Sequence, residues 1–321
     1  MMEINNRNIR FLSHMGAQGV LGQAVYDLAK DLDFYVLTAD LGIASGFSRF
    51  MGKYPERFVN VGIAEQSLIS TAAGLATKEM PALATSWGAF ASYRCADQIR
   101  CFLGLMHTNV KVVGMGSGLA NSRLGGSHYN IGDLALLRSI PGVDVIAPSD
   151  GVEIYSAIEA ALKNNVPTYI RLTGGDRLPI INQSPSYRFQ IGKANLLRAG
   201  KDVLIVGCGN LLSECLKAAD ILAEQEISAA ILNMHTIKPL DTEAILSNLS
   251  YQLIVTVEEH NVIGGLGAAI AEVLTEANNA PRQIRLGIED FVPSAGDYEY
   301  LLECCGLTAE QIAARIVKEI R

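Results

Sequence analysis

The side chains that could do chemistry sit in a few short segments. Asp40 follows the apolar run FYVLTA and precedes the turn LGIASG. Ligands of open α/β sheets gather at the carboxyl ends of strands, although a turn or helix-capping aspartate reads the same way. Glu65 lies in NVGIAEQSLISTAAGLA, where an apolar strand gives way to a helix of small residues. Ala72, Ala73 and Gly74 would let that helix lie close on its neighbour. A carboxylate there is either a ligand-edge group or a first-turn acid favoured by the helix dipole. Trp87, Phe90 and Tyr93 recur every three residues, and Trp87 is the only tryptophan. Rings so spaced can pack on a flat heteroaromatic ligand or fill a core. His128 lies in a stretch with six glycines between 114 and 133. That stretch matches neither the P-loop nor the dinucleotide fingerprint. Its glycines permit close backbone approach to a ligand, and its histidine is either a proton-sharing group or a structural one. Near the far end, EEHNVIGGLGAAI (258–270) reads as strand end, glycine turn and helix start, without the glycine spacing of a phosphate cradle.

These residues need a scaffold, and the alternation of short apolar runs with helical patterns supplies one. Strands are predicted at 34–40, 82–87, 110–116, 143–148 and 168–172, with helices at 18–31, 64–78, 91–103 and 151–164. Segment 174–192 holds two prolines, has glycines at its ends and shows little periodicity, which reads as an inter-domain linker. The alternation then restarts. Strands are expected at 202–209, 227–234 and 253–259, and helices near 211–224, 266–277 and 308–320. The expectation is two doubly wound α/β domains, 1–185 and 190–321, each a mostly parallel sheet with helices on both faces.

Composition narrows the function. The chain has 321 residues, 49% of them hydrophobic and 18% charged, enough apolar surface for sizeable cores. Its formal charge is -7, and no Lys/Arg-rich run interrupts it, so nucleic acid is not an expected partner. The six cysteines form no CxxC pair and read as reduced thiols. No segment reaches the roughly 20 apolar residues of a membrane span, and the N-terminus MMEINNRNIRF lacks a signal-peptide core. A cytoplasmic protein without membrane contact is expected.

Taken together, TADLGIASGF, RFVNVGIAEQSLISTAAGLA, SWGAFASYRCADQIR, LGGSHYNIGDLALLRSIPGVDVIAPSD and VTVEEHNVIGGLGAAIAEV resemble the transketolase family over almost the whole chain. The resemblance implies a pyrimidine-binding domain followed by a transketolase C-terminal domain. It implies thiamine diphosphate as cofactor. Glu65 matches the glutamate that hydrogen-bonds the aminopyrimidine ring, the arrangement that lets the cofactor lose its thiazolium proton. Trp87, Phe90 and Tyr93 match the aromatics around that ring, and Asp40 joins the cofactor-binding set. His128 matches a histidine beside the donor sugar's hydroxyls and counts, with Glu65, as catalytic. Arg171 matches an arginine at the sugar-phosphate end, where a guanidinium holds phosphate by paired hydrogen bonds.

Departures from the family pattern bear on substrate. Where a transketolase has Glu-Asp-Gly-Pro-Thr-His, this chain has Arg123, Leu124, Gly125, Gly126, Ser127 and His128. Leu124 replaces a hydroxyl-reading aspartate, and Gly116 falls where the family has another histidine. Losing a polar partner in a buried site changes discrimination strongly, so a branched or otherwise unusual pentulose phosphate is the expected donor. No segment resembles the family's diphosphate domain, with its Gly-Asp-Gly motif and downstream Asn. The expectation is therefore a separate partner subunit that carries the Mg2+ ligands, in an α2β2 assembly, with no metal site on this chain. The beta chain of a 2-oxo-acid dehydrogenase has the same two domains and is the alternative. A non-catalytic scaffold would have no need to keep Glu65, the aromatics and His128.

Overall fold

In the computed structural model, residues 5–320 are described apart from 176, 185 and 292. The strands are β1 (Tyr35–Thr38), β2 (Phe58–Asn60), β3 (Ala82–Trp87), β4 (Val110–Met115), β5 (Asp144–Ile146), β6 (Thr168–Arg171), β7 (Asn195–Arg198), β8 (Val203–Gly207), β9 (Ala229–Asn233), β10 (Thr236–Lys238), β11 (Leu253–Asn261) and β12 (Arg282–Ile288). One sheet runs β10-β5-β6-β4-β3-β1-β2 and the other β12-β11-β8-β9-β7. Neighbours pair parallel except β10 with β5 and β7 with β9. The fold is α/β, as expected. Strands β4, β6, β8 and β9 are buried along their whole length. Burial on both faces is what a sheet covered by helices on each side requires.

The strands the sequence did not announce lie at sheet edges or are very short. β12 reads RQIRLGI and is exposed at several positions. β2, β7 and β10 have only three or four residues. An edge strand buries little, so its sequence carries little apolar signal. The helix expected at 18–31 begins at Asn6, where Asn5 accepts a hydrogen bond from the Asn8 N–H at 3.0 Å. It is interrupted at Gly16, whose φ of 67° and ψ of 170° are not helical. The helix expected at 91–103 is instead a chain of wide turns, with π-helix at Phe90–Arg94 and Ile99–Leu105.

The segment expected as a linker is irregular but strapped down, though residues 176 and 185 lie outside the described set. Asp150 caps the helix Gly151–Lys163, accepting the Glu153 N–H at 2.9 Å. Its other oxygen accepts the N–H groups of Ile181 and Asn182 at 3.0 and 2.7 Å. Apolar packing is continuous across the chain: Leu137, Val145 and Ala147 share a cluster with Leu204, Met234 and Leu266.

Candidate functional site

Adjacent strands β4, β3, β1 and β2 end on the same side of a parallel sheet, and the chemically promising residues follow those ends. Asp40 leaves β1 with φ of 60°, a left-handed conformation that aspartate tolerates. Its N–H donates to Asn60 Oδ1 at 2.9 Å, and Asn60 Nδ2 donates to Asp40 Oδ1 at 3.2 Å. The Gly62 N–H also reaches Asn60 Oδ1, at 3.0 Å. Asn60 thus clips the turn after β1 to the turn after β2. That second turn delivers Glu65 to the start of the helix Glu65–Leu75.

Glu65 is 4% exposed, and a buried carboxylate needs a partner. Arg94 provides it, with Nη1 donating to Oε2 at 2.8 Å. Arg94 ends the π-helical turn Phe90–Arg94; such turns are frequent at functional sites. Its guanidinium carbon lies over the Phe90 ring, 4.2 Å from the centroid. On another side of Phe90 stands His128, with ring centroids 5.3 Å apart and an edge-on angle of 65°. Ser127 Oγ sits 3.0 Å from His128 Nδ1. Glu65, Arg94, Phe90 and His128 therefore form one contiguous series of contacts.

Tyr93 is half-exposed, and its hydroxyl packs so closely on Gly132 that an added Cβ there would lie 1.8 Å away. Burial, and then the charge of Asp133, raise its pKa. Trp87 stands apart from the other two aromatics. It shares strand parity with Leu83 and packs against the cluster that contains Leu83, Phe50 and Met115.

Arg171, matched by resemblance to a phosphate-holding arginine, is buried in the fold. Its side chain is 1% exposed. Nε donates to both oxygens of Asp133, at 2.9 and 3.0 Å, and Nη2 donates to the carbonyls of Asn130 and Glu259, at 3.0 and 2.8 Å. Asp133 is also buried and accepts the Tyr169 hydroxyl at 2.7 Å. This guanidinium ties the end of β6 to the 130–133 turn and to β11. The neighbouring Glu259 carboxylate accepts the Leu119 N–H at 2.6 Å and the Tyr298 hydroxyl at 2.6 Å. Glu258 accepts the N–H groups of Leu266 and Gly267, at 2.7 and 2.8 Å. The 258–270 turn is thus closed by its own carboxylate, and burial lifts Glu258 to about 7.

In the glycine-rich loop, Gly116 has φ of 59°, and a Cβ there would meet the Asn121 amide at 2.6 Å. Asn121 fills the space a side chain at 116 would need. Leu124 is 54% exposed, and Arg123 pairs with Asp297 at 2.8 Å.

Arg94 was not singled out from the sequence, although SYRCADQIR contains it. Nothing in the spacing linked it to a carboxylate 29 positions earlier. Asp133, in NIGDLALL, likewise carried only the signal of a first-turn acid.

Glu65 offers a buried hydrogen-bond acceptor, and Phe90 and Tyr93 offer aromatic rings, a set whose chemistry suits thiamine diphosphate's aminopyrimidine. Among the described residues, no group of three or more His, Cys, Asp or Glu side chains is placed to hold a metal ion. No described helix is long and apolar enough to cross a membrane.

Residues 15–176 match the family model of the transketolase pyrimidine-binding domain, and residues 192–312 that of the transketolase C-terminal domain. A putative transketolase C-terminal section of Methanocaldococcus jannaschii is 37% identical, covering 96% of this chain and 97% of its own length. A 6-deoxy-6-sulfo-D-fructose transketolase subunit of a Clostridium species is 41% identical over 88% of this chain and 87% of its own. An apulose-4-phosphate transketolase subunit of Actinobacillus succinogenes is 34% identical, with 88% and 90% covered. Among solved structures, a split gene transketolase described as an inactive beta4 tetramer superposes with a TM-score of 0.84 at 36% identity, covering 95% of this chain and 97% of that one.

Proposed function

Since the chain belongs to the transketolase family and is built from its pyrimidine-binding and C-terminal domains, we propose that it is one subunit of a thiamine-diphosphate-dependent transketolase. The reaction is transfer of a two-carbon ketol unit from a ketose phosphate to an aldose phosphate. The observation that carries this reading is the buried Glu65, joined through Arg94 to the Phe90 face on which His128 also packs.

Thiamine diphosphate supplies the nucleophilic carbon when bound. Glu65 would hold the hydrogen bond to the ring nitrogen of the aminopyrimidine. Phe90 and Tyr93 would shield that ring from water, Trp87 would close the strand end below it, and Asp40 would line the same edge. His128 would exchange a proton or hydrogen bond with the donor's hydroxyls. The loop that carries Leu124 and Gly116 in place of polar residues favours a donor other than xylulose 5-phosphate. Relatives named for sulfofructose and apulose phosphates support that direction. They also argue against the 2-oxo-acid dehydrogenase reading.

The relatives named as subunits or as a C-terminal section support a second polypeptide that brings the diphosphate-Mg2+ site. The solved relative described as an inactive beta4 tetramer agrees with this dependence. Ile43 and Ile63 are large apolar side chains left 80% and 79% exposed near these strand ends, as an interface would require.

The test is to mix the chain with a diphosphate-binding subunit and assay ketol transfer. Activity should need both thiamine diphosphate and a divalent metal. Full activity after exhaustive removal of both would overturn the reading.

A further inference from the structure

Arg94 covers the two features on which the cofactor reading rests. One nitrogen holds the Glu65 carboxylate at 2.8 Å, and the guanidinium lies 4.2 Å over the face of Phe90. An aminopyrimidine needs that same carboxylate and that same ring. One carboxylate oxygen cannot keep its guanidinium and also take a full hydrogen bond in the same direction. Two planar groups cannot share one aromatic face.

The rest of the geometry shows which part is free to move. The Arg94 carbonyl is fixed by Gln66 Nε2 at 3.2 Å. Nearby, the Cys95 thiol is bonded to the Phe90 carbonyl at 3.2 Å. The backbone of the π-helical turn is therefore held. The Arg94 side chain itself is 47% exposed, against 5% for Glu65. It can swing into solvent by rotating its own bonds, without unfolding the turn.

We propose that Arg94 is a latch. In the empty chain it stands in for the aminopyrimidine, pairing with Glu65 and covering Phe90, and cofactor binding displaces it. This inference rests on the thiamine-diphosphate reading above. The physical reason for such a latch is the burial of Glu65. A lone buried carboxylate is costly, so the empty site keeps a removable cation on it. Cofactor affinity is then lowered by whatever free energy the Arg94 contacts contribute. A half-exposed ion pair and a cation–π contact each contribute modestly, so the expected effect is a few-fold change.

The test uses the chain assembled with its diphosphate-binding subunit. Thiamine diphosphate with Mg2+ is titrated in by calorimetry, which reads binding without turnover. Arg94→Met keeps the apolar stem and removes the guanidinium. It should bind the cofactor about three- to tenfold more tightly than the parent, a gain of up to about 1.4 kcal/mol. Arg94→Lys can still pair with Glu65 but covers the ring poorly, and its affinity should fall between the two. In a Glu65→Gln background, Arg94→Met should gain less, because the pair is already weakened. Thermal melts of each variant confirm that all are folded. Unchanged or weaker binding by Arg94→Met, with the parent binding normally, would overturn the latch and leave the cofactor reading intact. Failure of the parent and every variant to bind thiamine diphosphate would overturn both.

Discussion

Glu65 and Arg171 are each an ionised-type side chain buried in a protein interior, yet their surroundings suit opposite tasks. Glu65 has a half-exposed partner, Arg94, that also lies over the Phe90 ring. Replacing it by the nearly isosteric glutamine should leave the fold intact, at a cost under about 1 kcal/mol. It should slow hydrogen–deuterium exchange at the thiazolium carbon of the assembled enzyme by about a hundredfold or more. Unimpaired exchange would mean that another carboxylate serves the ring. Arg171 is different, because its Nε is bonded to Asp133 and its Nη2 to the Asn130 and Glu259 carbonyls. Arg171→Leu strands a buried aspartate and should destabilise the chain by about 3–5 kcal/mol in denaturant unfolding. An unchanged unfolding curve with a raised KM for sugar phosphate would restore the substrate role the sequence suggested. The contrast marks what a sequence discloses. Residue type and motif position single out Glu65 as a candidate, whereas the partner a side chain meets is set by tertiary contact. Arg94 and Asp133 carry no such signal in the sequence for that reason.

Elements with strong periodicity were legible, and elements defined by their neighbours were not. The helix Gly151–Lys163 and strands β4 and β8 lie where their apolar patterns placed them. The apolar spacing of the segment after Trp87 suits one regular helix. Its π-helical turns depend on hydrogen-bond register, which the pattern does not encode. Strand β4 also buries a cation. Lys111 is fully buried, and its Nζ donates to the Asn164 and Val166 carbonyls at 2.8 and 2.6 Å. Burial lowers its pKa to about 7, against a partial offset from Asp144. An unfolded lysine keeps its proton to about 10.4. Between those values the unfolded chain binds more protons than the folded one, so stability contributed at this position rises with pH. Denaturation series from pH 7 to about 10 should show the parent gaining on Lys111→Met. A pH-independent difference between the two would show that Lys111 stays charged in the fold.

At the scale of the whole molecule, the site on this chain is half of what the proposed reaction requires. We expect two copies of this chain and two of the diphosphate-binding subunit, because closed two-fold assemblies are the common solution. Mass-resolved sizing should give that α2β2 composition for the mixture. The chain alone should take up thiamine diphosphate only weakly in calorimetry. Tight, magnesium-dependent uptake by the isolated chain would contradict a shared site. Within the chain, the two sheets are not independent bodies on a tether. β10 lies in the chain between β9 and β11 of the second sheet, yet it closes the edge of the first, with Thr236 opposite Ile146. The Ala147 N–H continues the seam by donating to the His235 carbonyl at 2.7 Å. That exchange governs where the polypeptide tolerates being cut. Nicking the surface near residue 190 severs one covalent tie and leaves the seam buttoned, so both pieces should stay together through a sizing column. A fragment that simply stops there loses the button. It is left with Val145 and Ile146 along an open strand edge, a ready template for self-association.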